Sequence, residues 1–199
     1  MEIKMAKIYL IGDEKYSFEQ TKKALTEDVS MFQLRLKNAT EEFFYNEAIR
    51  YQALCKERGI TFIINDYLHV AKAINADGLH IGQDDLSFAF CKERFPDKII
   101  GLTVGNEAEA KEAFLWGADY IGLGAIYPTK TKKNASVIGL EPLKKIAKIA
   151  TCDIVAIGGI DTTNFQAVYD AGANMLAVSS AVLGSKDPAK VLKTLRGTR

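Results

Sequence analysis

The sequence predicts an α/β fold, a closed (β/α)₈ TIM barrel that forms a single domain over residues 1–199. Eight short apolar runs alternate with segments of helical spacing, and no proline-rich or low-complexity linker interrupts the alternation. A helix exit made of small residues, followed by an apolar strand, also recurs as NADGLHIG, GADYIGLGA and GANMLAVSS. Such self-similarity is typical of stacked βαβα units. Together these features favour the barrel.

The strands are predicted from runs that are apolar nearly throughout, as expected for strands covered on both faces. In chain order the runs are KIYLIG, MFQLRL, TFIIND, GLHIG, IIGLTVG, DYIGLGA, DIVAIGG and MLAVSS. An open, doubly wound sheet is the alternative. It is less favoured because LIGDEKYS, rather than a Gly-x-Gly-x-x-Gly turn, follows the first strand.

The helices between these strands are predicted from apolar faces and end signals. Thr40 and Asn106 are expected to begin helices, and Gly117 to end the second of them. Apolar residues recur on one face of each segment, as Phe44, Ala48, Tyr51 and Cys55 and as Ala110, Ala113, Phe114 and Gly117.

Composition excludes several classes of protein. With 199 residues, 48% hydrophobic and 26% charged, the chain can bury one sizeable core. A net charge of +1 provides no general field for nucleic acid or anionic membrane, so neither is expected as a partner. MEIKMAKIYL lacks a signal-peptide pattern, and a cytoplasmic protein is expected. Cys55, Cys91 and Cys152 are scattered, which argues against a disulfide framework or a structural zinc site.

Polar residues at the carboxyl ends of barrel strands converge on one mouth, whatever their distance in sequence. Every strand from the second to the eighth ends in, or runs into, such residues. They are Gln33, Arg35 and Lys37; Asn65 and Asp66; His80, Gln83, Asp84 and Asp85; Thr103; the Thr-Lys segment 129–133; Gly158 and Gly159; and Ser179 and Ser180. We therefore expect a single site at this end of the barrel.

The residue types at this mouth indicate two anionic groups and a metal. Asp66 and Asp85 follow adjacent strands, and oxygen ligands of this kind suit Mg²⁺. The basic residues Arg35, Lys37 and Lys132 exceed what one phosphate needs and suit a pyrophosphate. The Gly-Gly pair after strand seven and the Ser-Ser pair after strand eight form a second phosphate site, where small side chains let backbone amides approach.

Each of these residues also has a simpler structural interpretation. His80 is expected to be an inward-facing core side chain, and Gln33 a buried link between strands. Asp66 would equally serve as a cap for the following helix, and Asp84 as a solvated neighbour. The lysine run 130–133 alone is typical of a solvated loop. Taken together, these interpretations would require six strand ends to carry such chemistry by chance.

Five motifs resemble thiamine phosphate synthase over nearly the whole chain. They are FQLRLK, FIINDY, GLHIGQDDL, DYIGLGAIYPTKTKK and AIGGI, in this order and spacing. The resemblance implies that a hydroxymethylpyrimidine pyrophosphate is joined to a thiazole phosphate with release of pyrophosphate, in thiamine biosynthesis. The partners would then be small-molecule substrates, and a homo-oligomer stays open.

The resemblance also implies roles for individual residues. Lys132 and Thr103 would be catalytic, and Asp66 and Asp85 would hold Mg²⁺. The pyrimidine pyrophosphate would be bound by Gln33, Arg35, Lys37, Asn65, Thr103 and Lys132. The thiazole phosphate would be bound by Thr129, Thr131, Gly159, Ser179 and Ser180. The segment 129–133 would then close over the substrates as a lid and keep water from a reactive cation.

The chain departs from the family pattern at a few positions. Leu36 stands where the arginine motif usually continues with glutamate, Thr103 replaces the usual serine and Gly105 a common histidine. The loss at position 105 puts in doubt a proton transfer assigned to that histidine. Two other functions remain: a thiazole tautomerase of the same superfamily, or a non-catalytic sensor of phosphate ligands. The tautomerase is disfavoured because it typically lacks the Asn-Asp, Gly-Gln-x-Asp and Thr-x-Thr-Lys elements kept here. The sensor is disfavoured because phosphate capture alone does not need the two retained carboxylates.

Overall fold

The computed structural model describes residues 7–129 and 136–197. Over these residues, eight parallel strands close into a barrel in sequence order, with β8 paired to β1. The strands are β1 (Lys7–Gly12), β2 (Met31–Leu34), β3 (Thr61–Asn65), β4 (Gly78–Ile81), β5 (Ile99–Val104), β6 (Tyr120–Gly124), β7 (Asp153–Ile157) and β8 (Met175–Val178). The predicted barrel is therefore confirmed, and each strand lies within its predicted apolar run.

Helices connect the strands. They are α1 (Phe18–Ala24), α2 (Glu41–Arg58), α3 (Leu68–Ala73), α4 (Phe88–Arg94), α5 (Glu107–Trp116), α6 (Leu140–Ala147), α7 (Phe165–Asp170), α8 (Ser180–Leu183) and α9 (Pro188–Arg196). Within the described ranges, none of them is long and apolar enough to cross a membrane.

The predicted helix ends are confirmed by their hydrogen bonds. Thr40 accepts a bond from the Phe43 N–H at 3.3 Å at the start of α2, and Asn106 accepts one from the Glu109 N–H at 3.0 Å at the start of α5. Gly117 ends α5 with φ +75°, a left-handed conformation that glycine adopts without steric cost. Backbone groups at these helix ends thus find hydrogen-bond partners in residues close to them in the sequence.

The core has two layers. The larger layer lies between the barrel and its helices, and it includes the predicted α2 face with Phe44, Ala48, Tyr51 and Cys55. The smaller layer fills the barrel interior and consists of Tyr9, Ile11, Met31, Ile63, Tyr120, Val155, Met175 and Ala177. Two of these inner residues are tyrosines, so the barrel interior is not wholly apolar. Cys55 and Cys91 are buried as free thiols, and Cys152 is partly exposed.

Candidate active site

A cavity of about 770 Å³ opens at the carboxyl ends of the strands. Eleven of the thirteen predicted site residues line it, each delivered by the end of a strand or the loop after it. They are Gln33, Arg35, Lys37, Asn65, Asp66, Asp85, Thr103, Thr129, Gly159, Ser179 and Ser180. The other two, Thr131 and Lys132, lie outside the described residues.

Arg35 and Lys37 reach the cavity from the loop after β2 rather than from the strand. Strand β2 ends at Leu34, although the Arg35 N–H still donates to the Gly12 carbonyl at 2.9 Å. Lys37 forms an ion pair with Asp66. The Lys37 ammonium group is thus held at the cavity by the Asp66 carboxylate.

Asp66 and Asp85 form a coupled pair of carboxyl groups. Burial raises the pKa of Asp66, and the neighbouring Asp85 raises it further, against the opposing effect of Lys37. Asp85 is more exposed, and hydrogen bonds from Asp66 and from the Gly82 N–H, at 2.8 Å, lower its pKa despite its partial burial. Of the two carboxyl groups, Asp66 therefore loses its proton at the higher pH.

The interpretation of Asp66 as a helix cap is wrong. The N-cap of α3 is Tyr67, and no side chain caps this helix. Asp66 instead adopts a left-handed backbone with φ 64°, a conformation that aspartate and asparagine tolerate better than most residues. This backbone turns the Asp66 carboxyl toward Lys37 and Asp85.

The paired carboxyls fit a magnesium ion. Asp66 and Asp85 are neighbouring oxygen donors whose mutual repulsion a divalent cation would relieve. Among the residues that the structure describes, no group of three or more His, Cys, Asp and Glu side chains could hold a metal. Mg²⁺ commonly takes one or two carboxylates and completes its shell with water and substrate phosphate, so two protein ligands suffice.

On the opposite wall of the cavity, small residues leave the backbone accessible to a ligand. A Cβ atom on Gly159 would lie 2.5 Å from the Pro128 carbonyl oxygen, and φ is +64° there, so only glycine fits. The Ser179 hydroxyl contacts an Asp13 carboxylate oxygen at 3.3 Å and is its donor. Its proton is therefore directed at Asp13, a buried residue that the sequence analysis missed. The only sequence signal was its position at the end of β1.

Both flanks of the predicted lid lie at the cavity. Thr129 and Ser136 line it. Behind Ser136 the chain is anchored to the end of β6, because Ala125 N–H donates to the Ser136 carbonyl at 3.3 Å and Ile138 N–H donates to the Ala125 carbonyl at 2.8 Å. The two flanks therefore lie beside the site, and the rest of the predicted lid lies outside the described residues.

A chain of buried polar side chains lies beneath the cavity. The Gln33 amide donates to the Tyr9 hydroxyl at 2.8 Å, and the Tyr9 and Tyr120 hydroxyls are 2.8 Å apart. Tyr120 contacts His80 Nδ1 at 2.9 Å, and His80 Nε2 contacts Thr103 Oγ1 at 2.8 Å. Burial raises the pKa of both tyrosines, so their hydroxyls stay protonated. The simpler interpretations of Gln33 and His80 as buried side chains are correct, yet both also line the cavity.

No sequence motif points to Tyr9 or Tyr120 as site residues. Both lie in runs typical of apolar strands, and the one signal is a polar hydroxyl at an inward position of each strand. The other strand-end residues lie outside the cavity lining: Gln83 donates to the Thr103 carbonyl at 2.7 Å, and Asp84 is exposed.

The departures from the family pattern have local explanations. Leu36 is buried in the outer core layer, where a glutamate would lack solvent. Gly105 lines the cavity, and its N–H donates to the Glu109 carboxylate at 2.7 Å. Position 105 therefore contributes backbone, and no side chain, to this wall.

Known proteins match the chain over nearly its full length. The family model described as thiamine monophosphate synthase matches residues 8–182. The thiamine-phosphate synthase of Methanococcus maripaludis (strain C6) is 42% identical over 183 residues, which cover 91% of this chain and 88% of that protein. The Pyrococcus horikoshii protein of the same name is 39% identical over 192 residues, which cover 96% and 93%. The solved structure of thiamine phosphate pyrophosphorylase from Pyrococcus furiosus is 37% identical, with a TM-score of 0.89 over 96% of this chain and 94% of that one. The chain belongs to the thiamine monophosphate synthase family.

Proposed function

We propose that the protein is a thiamine phosphate synthase. It joins 4-amino-5-hydroxymethyl-2-methylpyrimidine pyrophosphate to 4-methyl-5-(2-phosphoethyl)thiazole and releases pyrophosphate. The observation that carries the proposal is one cavity in which a carboxyl pair and basic side chains face a wall of glycine and serine. Such a cavity offers a place for each of two anionic substrates.

The pyrimidine pyrophosphate is assigned to the side of the cavity formed by β2 to β5. Arg35 and Lys37 supply positive charge, and Asn65 and Gln33 supply amides for the ring or the phosphates. Lys132 is assigned to the same substrate through the family motif. Because Lys37 is paired with Asp66, an arriving pyrophosphate would draw the ammonium group away from the carboxyl pair.

The thiazole phosphate is assigned to the opposite side. Gly159, Ser179 and Ser180 line this wall, and Thr129 flanks it. Since the Ser179 proton is directed at Asp13, we assign the phosphate contact there to the backbone rather than to the hydroxyl. Thr131 joins this group through the family motif.

Asp66 and Asp85 would hold Mg²⁺. When bound, the ion would neutralise charge on the pyrophosphate and so make it a better leaving group. Both carboxyl groups must be ionised to act as ligands, so the raised pKa of Asp66 would weaken Mg²⁺ binding in acid.

The reaction then depends on how charge is distributed around the leaving group. The bond between the pyrimidine methylene carbon and the pyrophosphate oxygen breaks, and the electron-rich aminopyrimidine stabilises the cation left behind. Arg35, Lys37 and Lys132 stabilise the departing negative charge, and the Thr103 hydroxyl donates a further hydrogen bond. The thiazole nitrogen attacks the same carbon from the opposite wall. The expectation that the segment 129–133 shields the cation from water comes from the sequence, and residues 130–133 lie outside the described part of the chain.

A turnover assay tests the proposal directly. Purified protein with both substrates and Mg²⁺ is expected to form thiamine phosphate and pyrophosphate in equal amounts. Omission of either substrate or of Mg²⁺ should abolish product. Binding of both substrates without product would indicate the sensor function. Tautomerisation of the thiazole carboxylate without any pyrimidine substrate would indicate the tautomerase.

We propose a single domain over residues 1–199, action in the cytoplasm, and no nucleic-acid or membrane partner, on the grounds of the uninterrupted strand–helix alternation and the net charge of +1. The substrates are small molecules. The described residues assigned to the site converge on one cavity, so the proposed reaction requires no homo-oligomer and excludes none.

A further inference from the structure

The buried polar chain beneath the cavity joins five strands through side chains that no family motif accounts for as a unit. Its members, in order of contact, are Gln33 on β2, Tyr9 on β1, Tyr120 on β6, His80 on β4 and Thr103 on β5. We propose that Tyr120 is a positioning residue that sets the tautomer of His80 and thereby directs the Thr103 hydroxyl proton into the cavity. The inference deepens the proposed function and rests on it for the role of Thr103.

The direction of the hydrogen bonds along the buried polar chain follows from its first donor, the Gln33 amide. The Gln33 amide nitrogen can only donate, so the Tyr9 oxygen accepts from it. The Tyr9 proton is then available for its other partner, the Tyr120 oxygen at 2.8 Å. The reverse arrangement would leave a buried tyrosine proton unpaired, which costs about 1–3 kcal/mol. The Tyr120 proton is therefore directed onward, to His80.

This direction selects one form of His80. Tyr120 donates to Nδ1 at 2.9 Å, so Nδ1 must carry no proton, and the neutral ring carries its proton on Nε2. That Nε2–H then donates to Thr103 Oγ1 at 2.8 Å. Because Oγ1 already accepts a bond from behind, the hydroxyl proton is left for an acceptor in the cavity that Thr103 lines.

The packing around Tyr120 maintains this arrangement. Gly101 on β5 lies between His80 and Tyr120 in the strand register, and a Cβ atom there would be 2.0 Å from Tyr120 Cζ. The absence of a side chain at Gly101 lets the Tyr120 ring cross β5 and stack on His80, with ring centroids 5.5 Å apart. Gly122 opens the space beside His80 Cε1, which a Cβ atom would approach to 3.1 Å. The contact therefore depends on two glycines in neighbouring strands.

The tautomer can be measured on the ligand-free wild-type protein. The chain has two histidines, His69 and His80, so a ¹⁵N–¹H correlation spectrum of the imidazole rings, assigned with His69→Gln, resolves His80. We expect His80 to be neutral and protonated on Nε2. A proton on Nδ1 would overturn the proposal without any variant having to fold.

Substitution then tests the link from Tyr120 to turnover. Tyr120→Phe keeps the ring and removes the hydroxyl, so His80 should shift toward the Nδ1–H tautomer and kcat should fall about 10-fold, while KM for the thiazole phosphate stays unchanged. Tyr169→Phe is the matched control. It removes the tyrosine hydroxyl that contacts the Lys7 carbonyl at the opposite end of the barrel, and it should change neither quantity.

A double-mutant cycle shows whether Tyr120 acts through Thr103. In a Thr103→Val background, Tyr120→Phe should cause no further loss of kcat, whereas independent effects would multiply. Multiplicative losses, or an unchanged tautomer in Tyr120→Phe, would refute the proposal. If Tyr120→Phe does not fold, the tautomer of His80 in the wild type decides the proposal, because that measurement needs no variant. Because the tautomer is read without substrate, its result is distinguishable from a failure of the wild type to make thiamine phosphate.

Discussion

At the scale of single residues, the site depends on how charges and protons are divided among neighbours. Asp85 raises the pKa of Asp66, Lys37 is paired with Asp66, and the Ser179 hydroxyl donates to Asp13. A bound cation would relieve the repulsion between the two carboxyl groups, and a bound anion would compete with Asp66 for Lys37. Charged ligands are therefore expected to rearrange the ion pairs of the site.

Asp66→Asn and Asp85→Asn are expected to weaken Mg²⁺ binding and to leave the enzyme inactive or dependent on far more Mg²⁺. Asparagine is the appropriate substitution because it tolerates the left-handed backbone of Asp66. Turnover measured against Mg²⁺ concentration checks this. Asp84→Asn is the control, since Asp84 is exposed and lies outside the cavity lining. A normal Mg²⁺ response in both site variants would remove the metal assignment.

The raised pKa of Asp66 has a consequence for stability. In the folded protein the Asp66 carboxyl keeps its proton at pH values where the same group in the unfolded chain, with a pKa of 3.8, has lost it. The stabilisation it contributes is therefore complete below 3.8 and is lost as the pH rises through the raised folded value. Without metal, Asp66→Asn should be as stable as the wild type or more stable near neutral pH, and should lose that advantage in acid. Urea unfolding in a chelator at several pH values measures the difference, and a constant difference would contradict it.

Lys132→Ala is expected to slow pyrophosphate release by a factor on the order of 10² while leaving the melting temperature nearly unchanged. The reason is that its assigned role is toward the leaving group rather than the fold. Lys133→Ala, from the same lysine run but with no assigned role, is the matched control. Equal rates in wild type and Lys132→Ala would support the simpler interpretation of residues 130–133 as a solvated loop.

At the scale of elements, the strands do more than build the wall of the barrel. The inward positions of β4, β5 and β6 combine side chains with glycines that leave space for a neighbour, as Gly101 does for Tyr120. Strand β2 is also shorter than its apolar run predicts, so Arg35 and Lys37 extend from a loop. Strand length and glycine position thus decide where the polar groups of the site lie.

Gly101→Ala is expected to destabilise the protein by about 1–3 kcal/mol, because the added methyl group overlaps the Tyr120 ring and the neighbouring strands cannot move apart freely. Activity should fall with it, as the ring is displaced from His80. Urea unfolding and kcat are the measurements. Gly105→Ala is the control for stability, since the nearest atom to its Cβ is 3.6 Å away. Equal stability of the two variants would show that Tyr120 can move without cost.

At the scale of the whole molecule, closure of the barrel joins distant parts of the chain. Strand β8 pairs with β1, and α9 packs against α1, α8 and β1. An ion pair joins Arg196 of α9 to Asp28, after α1, at 2.5 Å, and both side chains are less than a quarter exposed. The last helix therefore secures the region where the first and last strands meet.

Arg196→Met is expected to lower the free energy of unfolding by about 1 kcal/mol, because it keeps the apolar stem but leaves Asp28 without its cation. Lys193→Met, on an exposed position of the same helix, should change stability by much less. Urea unfolding of both variants checks the difference, and kcat should be unaffected in each because neither residue lines the cavity. Similar stabilities would show that packing alone holds α9.

The sequence by itself determined the order of strands and helices, the helix ends at Thr40, Asn106 and Gly117, and the polar residues that follow each strand. These features are local, since periodicity and capping depend on residues within a few positions of each other. Because all strands of such a barrel end at one mouth, the sequence also predicts that Asp66 and Asp85 lie close together.

Only the tertiary structure decided which side chains touch. The Tyr9 and Tyr120 hydroxyls meet across 111 positions of sequence, and Ser179 meets Asp13 across 166. Such contacts depend on strand register and on the space left by residues such as Gly101, and neither leaves a periodic trace in the chain. The hydrogen bonds of the two tyrosine hydroxyls therefore could not be predicted from their apolar runs. A hydrophobic pattern predicts which face of a strand a residue occupies, but not which residues it contacts there.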